Sequence, residues 1–103
     1  MKLRVKVTQE HVDRARRIEE DEPGVFISQT CPVALALLDV LPKDSFVSVS
    51  SHEIDVDVPK VKYHLKPTPP NAYRVIHWYD LPGDSEPITF PVHFTITLKE
   101  VGA

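Results

Sequence analysis

Apolar and polar residues alternate from Lys2 to Val7, with Leu3, Val5 and Val7 on one side and Lys2, Arg4 and Lys6 on the other. That period of two predicts a half-buried strand. Thr8 then supplies a helix cap, and Val7 before it is placed to pack on Val12 as a hydrophobic staple. The helix that follows has a thin apolar stripe of Val12, Ala15 and Ile18. Glu19-Glu20-Asp21-Glu22 sits at the negative end of its dipole, so helicity is expected to fade near Ile18 and to stop before Pro23-Gly24. Val25-Phe26-Ile27 leads inward to the most apolar run, Cys31 to Leu41. Pro32 suits the first helical position, with Thr30 or Cys31 at the cap, and Leu41 before Pro42 ends the segment. Asp39 is its one charge, so a central helix over 32–41, buried all round, is predicted.

Strand patterns resume at Phe46 to Ser50, Glu53 to Val58 and Val61 to Lys66, the first two favoured as separate strands over one bent strand. Thr68-Pro69-Pro70 opens a third helix whose Ala72, Val75, Ile76 and Tyr79 form a core-facing stripe. From Ile88 to Leu98 every second residue is apolar, a long strand in which Pro91 belongs at an edge, an end or a bulge. The pattern predicts an α+β fold. It is a single domain with a mostly antiparallel sheet of four to five strands, about three helices on one side and the central helix 32–41.

Composition narrows the function classes. A net charge of −3 over 103 residues gives no general basic field, so broad nucleic-acid binding is disfavoured, though a local patch stays open. The apolar run of Cys31 to Leu41 is too short to span a bilayer, which takes about 20 residues, so no membrane partner is expected. The first seven residues interleave charge with single apolar residues unlike a signal peptide, and one cysteine forms no internal disulfide. A cytoplasmic location is expected.

Candidate chemistry is sparse. Cys31 at a helix N-terminus is the possible reactive thiol, set against the plainer reading of a small buried residue beside a cap. Ser28 occupies the position a dithiol motif would need, so a redox pair is excluded. Five histidines show neither H-x-H nor H-E-x-x-H spacing, so no metal and no cofactor are assigned. Ser50, His77 and Asp80 lack a nucleophile-elbow context, so no catalytic residue is assigned either.

Two surfaces stand out. On the third helix Tyr73, His77 and Asp80 share a face beside Arg74 and Trp78, with Arg74 placed to stack on Trp78. This strip is the predicted contact surface, against the alternative that Trp78 closes the core edge. The second is an anion-binding face of Lys2, Arg4, Lys6, Lys62, His64 and Lys66 with Thr89, His93, Thr95 and Thr97. Glu53, Asp55 and Asp57 are placed to neutralise it.

The segment Val7-Thr8-Gln9-Glu10-His11-Val12-Asp13-Arg14, followed by Cys31-Pro32-Val33-Ala34-Leu35-Ala36, resembles a group of small uncharacterised bacteriophage and prophage proteins. The shared features are an E-H-(I/V)-D segment and a C-P-(V/I)-A-L-A helix. The resemblance implies a phage-type accessory protein of the host cytoplasm and supplies no catalytic residue. The leading expectation is a non-enzymatic protein that binds a host macromolecule or itself as a homo-oligomer. Nucleotide binding on the basic face comes second, and an enzyme using Cys31 or a metal third.

Overall fold

The computed structural model describes residues 1–24 and 27–101; Val25 and Phe26, expected to lead inward, lie outside them. The described chain is an α+β fold of four α-helices and six antiparallel strands in two sheets. β1 (Lys2–Val7) pairs with β5 (Val92–Thr97). The second sheet holds β2 (Phe46–Val49), β3 (Ile54–Val58), β4 (Val61–Leu65) and β6 (Lys99–Glu100) in that order. The strand expected over 88–98 therefore begins later, just after Pro91, and is broken at Leu98. Leu98 N–H donates to Met1 C=O at 2.7 Å, and Val101 N–H donates to Lys62 C=O at 2.8 Å. Successive backbone groups of a strand point to opposite edges. One extended stretch thus uses one edge for β1 and the other for β4, joining the two sheets.

Thr8 caps α1 (Gln9–Asp21) in a capping box whose returning side chain is His11. Thr8 N–H donates to His11 Nδ1 at 2.9 Å, so the ring proton sits on Nε2, 2.5 Å from Asp39 Oδ2. Arg14 approaches the other oxygen of Asp39 at 3.8 Å. A helix cap and a helix-to-helix tie are made by one imidazole. α1 runs to Asp21, past the point expected from its acidic tail, and Glu22 N–H still reaches Ile18 C=O at 2.8 Å. The reason is Tyr79, whose hydroxyl donates to Glu19 and pins the last turn.

After the short α2 (Ile27–Thr30), α3 (Pro32–Val40) starts at Pro32 with Cys31 at the cap position. Its first six residues, Pro32 to Leu37, are buried, each large apolar side chain among them contributing about 1.5–3 kcal/mol. Burial all round does not extend to the end. Val40 is 42% exposed, because the last turn comes to the surface where Asp39 meets His11 and Arg14.

α4 (Pro70–Asp80) buries Ala72, Val75 and Ile76, as its stripe predicts. Thr68 does not cap it. It is instead buried between α4 and the β2–β3 turn, donating from Oγ1 to Ser50 C=O (2.8 Å) and from N–H to His52 C=O (3.2 Å). Within that turn Ser50 Oγ accepts from the His52 and Glu53 N–H groups, which closes β2 onto β3 without a glycine. Helices α2, α3 and α4 pack against the strands on the side that carries Val5, Val7, Val47, Val56 and Ile96. Among the described residues, no helix lies on the opposite face of the sheets.

Candidate functional site

A cleft of about 600 Å³ opens where α1, the α2–α3 junction, the β2–β3 turn and the end of α4 meet. Arg16 and Glu19 come from α1, Ser28 from α2 and Cys31 from the start of α3. Ser51 comes from the turn, and Tyr79 and Asp80 from α4. Capping and docking geometry alone brings them together, since they span half the sequence.

Three groups among the described residues titrate clearly away from their ordinary ranges, and all three line this cleft. Burial pushes the Cys31 thiol up to about 11, against the downward pull of the Ala34 and Val33 N–H groups at the start of α3. Tyr79 is raised by burial, then by its hydrogen bond to Glu19 and the charge there, with Arg16 opposing. Asp80 is raised by loss of solvent and by Glu19, with His77 opposing. Thiol and phenol therefore stay protonated at neutral pH, and the helix N-terminus does not make Cys31 a thiolate. The cleft offers carboxylates at Glu19 and Asp80 and hydroxyls at Ser28 and Ser51, which make no hydrogen bond among the described residues. Such a lining suits a donor-rich neutral or cationic group and opposes a phosphate.

The α4 strip is divided by the fold. Tyr73, 43% exposed, stacks on His77 with ring centroids 5.8 Å apart and planes 17° from parallel. His77 Nδ1 lies 2.7 Å from Ser85 Oγ, which donates to Leu81 C=O at 2.9 Å. Together with Arg74 these residues flank a smaller hollow of about 250 Å³ closed by Asp84, Glu86 and Ile88. Asp80 turns away into the larger cleft, and Trp78 meets Phe90 edge-on at 5.4 Å. Arg16, not Arg74, lies over the indole, 5.9 Å from its centroid, because Trp78 faces the side of α4 that α1 approaches. Glu19, Arg16 and Ser85 were not legible as site residues. In the sequence Glu19 belongs to the acidic tail at the negative end of the α1 dipole, and the partner that fixes it, Tyr79 of α4, is 60 residues away.

The basic face is split between the two sheets. Lys2, Arg4 and Lys6 lie on β1, opposite Thr97, Thr95 and His93 of β5. Lys62 and His64 lie on β4, with Lys66 just beyond it. The expected neutralisation is realised at His64, 2.7 Å from Asp55 and 3.9 Å from Glu53; Lys62 makes no ion pair among the described residues although Asp57 is opposite it.

Among the described residues no group of three or more His, Cys, Asp or Glu side chains is placed to hold a metal ion. No helix among them is long and apolar enough to cross a membrane. Comparison of the chain with protein-family models, with curated proteins and with solved structures finds no match.

Proposed function

We propose that this is a non-enzymatic binding protein that contacts a partner macromolecule, or a second copy of itself, through the Tyr73–Arg74–His77 strip of α4. The observation that carries the reading is the Tyr73–His77 stack, exposed yet held in place from Ser85. An aromatic that is ordered before binding loses little freedom on contact, which is what an interface anchor requires. Arg74 adds a charged fork next to it, and the cleft beyond Asp80 receives a side chain from the same partner. The protonated thiol and phenol support binding in place of nucleophilic chemistry. The phage resemblance makes a host protein in a reducing cytoplasm the natural partner.

Wild-type protein and Tyr73→Ala/Arg74→Glu are compared in size-exclusion chromatography and in pull-downs from bacterial lysate. A partner or oligomer present with wild type and weakened at least about tenfold in the variant is expected, as for loss of an interface anchor. A strict monomer that retains nothing, or a partner held equally by both proteins, overturns the reading. A second reading rests on the cleft alone, as the binding site of a small donor-rich ligand, since the three clearly shifted groups among the described residues line it. Thermal shift with polyamines and polyols checks it, and no change at millimolar concentration removes it.

A further inference from the structure

The uncovered face of the sheets is not used by the α4 contact, and its charges are unevenly paired. Lys2, Arg4, Lys6, Lys62, Lys66 and Lys99 are exposed, and none makes an ion pair among the described residues. The pairing of Lys2 with Thr97, of Arg4 with Thr95 and of Lys99 with His64 places them on one side of the sheets. The acids of this face are confined to β3 and the residue before it. Two of them, Asp55 and Glu53, are already turned to His64. A surplus of positive charge is left along β1 and β4–β6, although the chain as a whole is negative.

We propose that this face binds a single-stranded nucleic acid through its phosphodiester backbone. The cations on β1 recur every second residue, about 6.5–7 Å apart, in a line and not around a pocket. A row of charges fits a chain-like polyanion better than a mononucleotide. Arg4 presents a planar fork suited to phosphate oxygens, and the exposed hydroxyls of Thr95 and Thr97, free of hydrogen bonds among the described residues, are neutral donors for the same atoms. A single strand can follow the basic half and leave the β3 acids to one side, which a broad acidic surface cannot do. This site is independent of the α4 contact.

The test is fluorescence anisotropy of a labelled 15-nucleotide oligothymidylate with the full chain. Binding is expected at 50 mM salt, falling about 60-fold by 200 mM, as about four to five phosphate contacts require. Arg4→Glu/Lys6→Glu and, separately, Lys62→Glu/Lys99→Glu should each weaken it at least tenfold, with circular dichroism confirming that each variant is folded. Because the two pairs lie in different sheets, misfolding of one leaves the other to decide. No anisotropy change at 100 μM protein overturns the proposal, as does binding that survives both pairs. Displacement of the oligonucleotide by polyglutamate at equal affinity also overturns it, in favour of an acidic protein. A salt-sensitive dimer lost in these variants without oligonucleotide binding assigns the face to a second copy, through the acidic end of α1.

Discussion

Cys31 shows how position in a sequence and position in a fold pull a side chain in opposite directions. At a helix start the backbone N–H groups favour a thiolate, but the residue is 3% exposed and burial wins, raising the thiol to about 11 from 9.0. A folded-state value above the unfolded one means that the contribution to stability is full below pH 9.0 and is lost as pH rises through about 11. Two pH units correspond to about 3 kcal/mol at most. Other groups titrate in the same window, so the informative quantity is the difference between wild type and Cys31→Ala. Urea melts from pH 8 to 11 should show the wild-type advantage shrinking by about 2–3 kcal/mol. A constant gap would mean that the thiol is not shielded. Asp80 has the same sign at the other end of the scale. Its carboxyl is raised from 3.8, so the protonated form is the one the fold prefers, and its contribution is full below 3.8 and is lost as pH rises through the raised value. Asp80→Asn should melt higher than wild type at pH 7, and the gap should close below pH 3.8. Thermal melts that show no gain at pH 7 would place the carboxylate in open solvent.

Among the elements, α1 is the one whose extent depends on something far away in the chain. Its acidic tail predicts fraying near Ile18, yet the helix holds to Asp21 with Tyr79 donating to Glu19 across a separation of 60 residues. A hydrogen bond to a charged acceptor contributes about 1.5–3 kcal/mol. Removing it with Tyr79→Phe should let the last turn open, and exchange of the Glu22 amide, bonded to Ile18, should accelerate while amides near the Thr8 cap do not change. If both ends of α1 lose protection together, the tail is not held by Tyr79. The same case explains what was legible beforehand. Alternation is a local property of the backbone, so β1, β3, β4 and β5 and the stripe of α4 could be read directly. The end of α1, the surface turn of α3 and the role of Thr68 depend on partners brought in by tertiary packing. Cys31 and Asp80 were singled out as separate features, one as a thiol and one on a contact strip. That they line one cleft with Glu19 and Tyr79 follows from how α4 docks beside α1, for which the pattern holds no signal.

At the scale of the whole molecule, the question is whether the two sheets open together or apart. They share no strand, but β5 and β6 are consecutive, and Leu98 between them is 2% exposed within the common core. Its N–H is bonded to Met1 beside β1, while three residues on the Val101 N–H is bonded to Lys62 on β4. Leu98→Ala removes side-chain volume at the junction without touching either ladder, at a cost of about 2–5 kcal/mol. If the junction couples the sheets, amide exchange should quicken in both ladders to a similar degree, with the Leu98 and Val101 amides changing together. Val47→Ala, buried on β2 at the far side of the larger sheet, is the control, and its lesser truncation should leave the exchange of β1–β5 the slower of the two. A Leu98→Ala protein in which one ladder loosens and the other keeps wild-type protection would show two independent units. In that case the basic strip along β1 and the cations of β4–β6 could not be held in one register on an opening chain, and binding across both sheets would weaken with temperature before the protein melts.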